Sequence, residues 1–157
     1  MRRCIHLCTF FLALMLTLSL SLKAQAAEIP SISGQGVLDL VKANKGKVVF
    51  INVFATWCPP CREELPGIKK IRTKYPEDKV LIVSISVDEN KGKLKNFVDK
   101  MQFNYPVYVA DDSVSQLFGI SSIPFNMLYD RNGKLVAAEA GMLDEDDLAQ
   151  GFDEFLK

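Results

Sequence analysis

Residues 57–61 read Trp-Cys-Pro-Pro-Cys, and the fold prediction starts from this stretch. It follows an apolar run over 48–54 and precedes a segment, about 62–74, whose apolar residues recur at helical spacing. Two cysteines three positions apart at the start of a helix can close a small disulfide ring. The helix N-terminus offers partial positive charge and unpaired N–H groups, which stabilise a thiolate. The sequence therefore predicts a redox couple. Cys58 is the expected nucleophile, and Cys61, one turn further along the helix, is the expected resolving thiol.

The first 26 residues have the pattern of a secretory signal peptide. A basic start, Arg2 and Arg3, precedes an apolar stretch over about 9–22 and a small-residue site over 24–26. We expect cleavage after Ala26, which leaves a single domain over 27–157. The alternative is an uncleaved anchor, because residues 5–22 are just long enough to span a bilayer. Both alternatives predict a periplasmic or otherwise extracytoplasmic protein.

The charge balance gives no sign of a polyanionic partner. Three of the 19 basic residues, Arg2, Arg3 and Lys23, lie in residues 1–26, so the mature chain has 16 against 19 acidic residues. Its net charge is then −3. Nucleic-acid-binding proteins present a basic patch or stripe instead. We therefore expect no nucleic-acid partner.

The cysteine and histidine inventory excludes several kinds of site. Cys4, Cys8 and the only histidine, His6, lie in the predicted signal segment, which leaves Cys58 and Cys61. Without histidine there is no Cys–His nucleophile pair, and two thiolates do not complete a zinc site unless two chains share the metal. A disulfide between Cys58 and Cys61 closes such a small ring that it restricts the unfolded chain little, so stabilisation is a poor reason for it. A lone pair in an oxidising compartment therefore indicates redox exchange.

Apolar periodicity and turn residues predict an α/β fold, with one mixed sheet and helices on both of its faces. The expected helices cover about 37–41, 62–74, 94–101, 114–118 and 145–156, and the expected strands cover 48–54, 80–87, 106–109, 125–129 and 135–140.

Three polar or special residues near the cysteines each have two interpretations. Glu64, three positions after Cys61, either exchanges protons with that thiol or is a solvated carboxylate of the first helical turns. Asn52 in the buried run is either a satisfied core amide or a residue that tunes the cysteines. Pro124 is either a trans proline at a strand start, which the residues alone favour, or a cis proline beside the dithiol.

Three segments resemble the thioredoxin superfamily, and more closely its exported branch of TlpA/ResA-like and cytochrome-c-maturation thiol-disulfide oxidoreductases. They are 54–66 (Phe-Ala-Thr-Trp-Cys-Pro-Pro-Cys-Arg-Glu-Glu-Leu-Pro), an added segment over about 88–109, and 118–124 (Phe-Gly-Ile-Ser-Ser-Ile-Pro). The resemblance covers about 37–157. It implies a thioredoxin fold with an added strand-helix segment, an attacking Cys58, a resolving Cys61 and a cis Pro124 that faces them. It also implies a functional Glu64, since an acid at this place is a feature of the ResA-like group.

A thioredoxin-like fold would dock substrates on an apolar patch around Cys58. The expected members, besides the backbone at Pro124, are Trp57, Pro59, Pro60, Ile123 and Phe125. Such a patch suits protein disulfides better than a small charged thiol. In this branch two threonines often follow the proline, whereas this chain has Phe125 and Asn126. This departure leaves the identity of the partner open.

The expected function is therefore that of an exported, monomeric thiol-disulfide oxidoreductase that reduces disulfides in partner proteins, apocytochrome c among the candidates. A membrane thiol donor would re-reduce the pair, and no organic cofactor or metal is expected. One alternative is a dithiol oxidase of the same fold. Another is a non-catalytic module that binds a soft metal such as Cu(I). The distance in sequence of Met101, Met127 and Met142 from the cysteines counts against the copper module.

Overall fold

The computed structural model describes residues 28–157, so the predicted signal peptide or anchor, residues 1–26, lies outside the described part. Strands and helices alternate along most of this part. Their bounds are β1 Ser31–Ile32, α1 Gly34–Ala43, β2 Val48–Phe54, α2 Pro59–Lys74, β3 Val80–Ser86, α3 Lys91–Met101, β4 Val107–Ala110, α4 Asp112–Phe118, β5 Phe125–Tyr129, β6 Leu135–Ala140 and α5 Glu145–Leu156.

The strands form one six-stranded sheet in the order β1-β4-β3-β2-β5-β6. The first four strands of that order run parallel, whereas β5 is antiparallel to both β2 and β6. The mixed sheet predicted from the sequence is thus confirmed. Because β5 runs against its neighbours, the carboxyl ends of β2 and β6 and the start of β5 meet at one end of the sheet.

Helices cover both faces of the sheet. On one face, α2, α3 and α5 pack around Phe50 and Phe54, and on the other α1 and α4 pack around Ile51 and Val53. All seven residues of β2 are buried, since this strand lies between the two layers. On α2 the predicted apolar stripe is confirmed, because Leu65, Ile68 and Ile71 are fully buried. Each such side chain contributes about 1.5–3 kcal/mol to stability.

Some element boundaries differ from the predictions. Helix α2 begins at Pro59, about three residues early, because Cys58 caps it and proline suits the first helical position. The helix continues through Pro66 to Lys74. The two-residue strand β1 was not predicted. Its hydrogen bonds to β4, rather than an apolar pattern of its own, define it.

Among the helices of residues 28–157, none combines the length and the apolar character needed to cross a bilayer.

Candidate active site

The two cysteines lie at the start of α2, which follows the buried end of β2. They form a disulfide with an S–S distance of 2.10 Å and a Cα–Cα distance of 5.3 Å. The Cys58 sulfur accepts a hydrogen bond from the backbone N–H of Cys61 at 3.3 Å. This N–H is one of the donors left unpaired at a helix N-terminus. After reduction it can stabilise the thiolate of Cys58.

Cys58 is the more accessible of the two, although both are buried. It retains 4% exposure, whereas Cys61 has none. The difference is small, but its direction matches an attacking Cys58 and a resolving Cys61.

The peptide bond between Ile123 and Pro124 is cis, the geometry that the resemblance implied rather than the one the residues alone favoured. It precedes β5 at the end of the sheet where β2 leads into α2. The Ile123 carbonyl oxygen lies 3.8 Å from the Cys58 sulfur. The fold thus brings together two segments that are 65 positions apart in sequence.

The predicted docking residues differ in their exposure. Trp57 is 68% exposed, and Pro59 and Pro60 are also exposed. Ile123 and Phe125 are half-buried, because both also pack against the core. Apolar side chains that remain exposed beside a reactive group are typical of a partner surface.

Glu64 lies in the protein interior, three positions after Cys61 on the same helix. It is 2% exposed and accepts three hydrogen bonds. One Glu64 oxygen, Oε2, accepts from Asn52 Nδ2 at 2.8 Å. The other, Oε1, accepts from Asn126 Nδ2 at 2.8 Å and from the Leu143 backbone N–H at 2.9 Å. A solvated carboxylate, one of the two interpretations, is therefore excluded.

Burial raises the pKa of Glu64, because a desolvated carboxylate favours its neutral form. The hydrogen bonds from Leu143, Asn126 and Asn52 oppose this effect but do not cancel it. A buried carboxyl group with a raised pKa beside a reactive pair is a candidate for holding and releasing a proton.

Asn52 is part of a polar row that crosses the buried sheet at one register. It pairs with Ser84 of β3 on one side and with Asn126 of β5 on the other. The Ser84 hydroxyl donates to Asn52 Oδ1 at 3.3 Å. Both amide hydrogens of Asn52 are used, one on Glu64 and one on Asn126 Oδ1. Asn52 is therefore a satisfied core amide that also contacts Glu64.

A second buried carboxylate anchors the loop in front of the cysteines. Asp88 accepts from the Thr56 backbone N–H at 2.8 Å, from the Thr56 hydroxyl at 2.6 Å and from the Ser86 hydroxyl at 2.7 Å. These bonds fix the backbone two residues before Cys58 to the end of β3.

Sequence reasoning did not assign roles to Asn126, Asp88 or the backbone of Leu143. A signal for Asn126 was present, since Asn52, Ser84 and Asn126 are polar residues within three apolar strand segments. Aligning those strands would have placed the three side chains in one row. Within residues 28–157, no three His, Cys, Asp or Glu side chains group as metal ligands.

Comparison with known proteins places this site in a family context. Residues 21–151 match the AhpC/TSA family. The thiol-disulfide oxidoreductase ResA of Bacillus thuringiensis subsp. konkukian is 32% identical over 118 residues, which are 74% of this chain and 66% of that protein. This chain thus spans slightly less than two thirds of that relative's length.

Solved structures show the same architecture. A putative thiol:disulfide interchange protein DsbE from Chlorobium tepidum has a TM-score of 0.68 and 26% identity, and covers 74% of this chain and 85% of its own. The exposed lipoprotein thioredoxin of Streptococcus pneumoniae has a TM-score of 0.64 and 27% identity, and covers 73% and 89%. The chain therefore belongs to the AhpC/TSA family, has the predicted thioredoxin-like fold, and is similar to ResA-type thiol-disulfide oxidoreductases.

Proposed function

We propose that this protein is a thiol-disulfide oxidoreductase that reduces disulfides in partner proteins through Cys58 and Cys61. The observation that supports this most directly is the position of the pair. The Cys58 sulfur caps α2, next to the Ile123 carbonyl and an exposed Trp57. The names of the relatives, ResA and DsbE, point to the same chemistry.

The reaction takes two sulfur displacements. The Cys58 thiolate attacks one sulfur of the substrate disulfide, so a Cys58–substrate bond forms as the substrate S–S bond breaks. The released substrate thiolate takes up a proton. Cys61, as a thiolate, then attacks the Cys58 sulfur and displaces the second substrate thiolate, which is protonated in turn. Two electrons and two protons reach the substrate, and the Cys58–Cys61 disulfide remains.

Glu64 serves as the proton acceptor for Cys61 in this scheme. Cys61 is fully buried, so its proton needs an acceptor inside the protein. Glu64 lies one turn further along the same helix, and its raised pKa suits a group that takes and returns a proton.

Docking uses the exposed apolar residues around Cys58. An extended substrate segment would pair with the backbone at Ile123 as an added strand, which holds the disulfide near the Cys58 sulfur. Trp57, Pro59, Pro60 and Phe125 would contact its side chains.

No organic cofactor or metal is required, because the cysteine pair itself stores the two electrons. A membrane thiol donor would re-reduce the pair, and apocytochrome c is a candidate substrate. The signal-like pattern of residues 1–26 and the similarity to an exposed lipoprotein thioredoxin support export. In this proposal the protein acts as a monomer. Metal analysis of the purified protein tests the rival copper module.

The test of the mechanism separates the two cysteines. In the reduced protein, Cys58 should be alkylated faster than Cys61, because it is the more accessible thiol and the helix N-terminus stabilises its thiolate. Cys61→Ser should trap mixed disulfides with partners, whereas Cys58→Ser should trap none. Equal alkylation rates would refute the assignment of roles.

The direction of electron flow follows from the reduction potential of the pair. In this superfamily a value of about −270 mV is typical of a reductant and one of about −120 mV of an oxidant. We expect a value toward the reducing end. A value near the oxidising end would favour the dithiol oxidase.

A further inference from the structure

The side chain of Asn126 uses every hydrogen-bonding atom it has. Its Nδ2 group donates to Glu64 Oε1 at 2.8 Å and to the Gly141 carbonyl at 3.0 Å. Its Oδ1 accepts from Asn52 Nδ2 at 2.9 Å. Because a carbonyl oxygen only accepts, Gly141 fixes which end of the amide is Nδ2. Asparagine offers two donors and an acceptor on one short group, which neither aspartate nor threonine does.

The segment 141–143, between β6 and α5, is tied to the same place. The Gly141 N–H donates to the Pro124 carbonyl at 2.9 Å, and the Leu143 N–H donates to Glu64 Oε1 at 2.9 Å. Gly141 has a φ of +119°, which glycine adopts without strain, so the chain can turn here from β6 toward Glu64. The segment therefore contacts both the cis-proline backbone and the buried carboxylate.

The two oxygens of Glu64 are in different surroundings. Oε1 accepts two N–H bonds, from Asn126 and Leu143, whereas Oε2 accepts one, from Asn52. A proton added to the carboxylate disturbs fewer bonds on Oε2. Asn126 thus contributes to the orientation of the carboxylate and selects the oxygen that takes the proton.

We propose that Asn126 is a positioning residue of the exchange site, which orients the Glu64 carboxylate and links it to the segment 141–143 beside Pro124. The proposal deepens the proposed function, since it rests on Glu64 as the proton acceptor for Cys61. Together with the Leu143 N–H, this side chain connects the buried acid to the backbone at the docking end of the sheet.

Few other ionisable groups face Glu64. Tyr105 is buried on the same side of the sheet, and its pKa is raised by desolvation and, to a lesser extent, by the charge of Glu64. Glu139 of β6 lies opposite Asn126 in the register of the two antiparallel strands. Asp147 of α5 lines the same groove of about 430 Å³ as Asn126 and Leu143. Cys61 is on the helix of Glu64 itself and does not titrate in the disulfide.

The test follows the titration of Glu64 in the oxidised protein through the amide resonance of Leu143, which donates to Oε1. In wild type this resonance should shift with pH at the Glu64 midpoint, and Glu64→Gln should abolish the shift. Asn126→Leu removes one donor to the ionised form, so the midpoint should rise by about one pH unit. The amide resonance of Gly141, whose carbonyl accepts from Asn126, should also move with pH in wild type. This displacement should be smaller in Asn126→Leu.

Two further variants complete the design. Asn126→Thr keeps one hydroxyl donor in a side chain of similar size, and its midpoint should lie between those of wild type and Asn126→Leu. Ser84→Ala is the matched control, since it removes a buried bond to Asn52 but none to Glu64. Its midpoint should stay at the wild-type value.

Three results would overturn the proposal: an unchanged midpoint in both Asn126 variants, an equal shift in Ser84→Ala, or an undiminished displacement at Gly141. The oxidised protein performs no exchange in this experiment. A failure here therefore remains distinct from a failure of the proposed reductase function, which the alkylation and trapping experiments test.

Discussion

Replacing Glu64 by Gln should change how the stability of the oxidised protein depends on pH. Burial raises the pKa of Glu64, so the folded state binds a proton more tightly than the unfolded state, in which a glutamate titrates near about pH 4.3. The proton's contribution to stability is full below that value and is lost as the pH rises through the folded pKa. Each pH unit between the two pKa values lowers the free energy of unfolding by about 1.4 kcal/mol.

The hydrogen bonds set the difference between the two proteins at low pH. Glutamine can keep its oxygen toward Asn126 and Leu143, but its amide nitrogen then faces Asn52 Nδ2, which is 2.8 Å from Oε2 in the wild type. Two opposed donors should make the variant about 1–3 kcal/mol less stable than wild type near pH 4. As the pH rises, wild type alone loses the contribution of the Glu64 proton, so the difference should shrink.

Urea unfolding of both oxidised proteins at intervals between about pH 4 and pH 8 measures this difference, in which the other carboxylates cancel. Glu63→Gln, at an exposed position of the same helical turn, gives the baseline for loss of a carboxylate. Parallel stability curves for wild type and Glu64→Gln would refute the reasoning, because they would mean that Glu64 has the same pKa in the folded and unfolded states.

Four further outcomes are expected. Glu64→Gln should slow disulfide exchange by about 10²-fold and change its pH–rate profile, which stopped-flow kinetics can measure. Phe125→Thr should change which proteins the Cys61→Ser variant traps, as identified by mass spectrometry, because Phe125 is partly exposed at the start of β5. Asp88→Ala should lower the free energy of unfolding by about 3 kcal/mol and slow exchange, since three hydrogen bonds that hold the loop before the cysteines are lost. Leu65→Ala should lower it by about 2–5 kcal/mol in urea unfolding, because Leu65 is fully buried.

Much of the fold could be predicted because its signals are local. The seven apolar or buried positions of β2, the stripe on α2 and the turn between β5 and β6 each depend on residues close together in sequence. The Cys58–Cys61 pair is local as well, since three positions at a helix start bring the sulfurs together. The sequence by itself therefore determined the mixed α/β fold and the redox pair. It also determined which kinds of site could be excluded, such as a Cys–His nucleophile pair.

The surroundings of the pair depend on contacts between distant segments, and only the tertiary structure decided them. The bond from Asn126 to Glu64 joins residues 62 positions apart, and that from Leu143 joins residues 79 apart. The residues next to Glu64 in sequence do not show whether its side chain is solvated or buried. The residues next to Pro124 likewise do not show whether it is cis and lies beside Cys58. Both depend on which strands pair and in what register, and register is set by the packing of whole faces of the sheet.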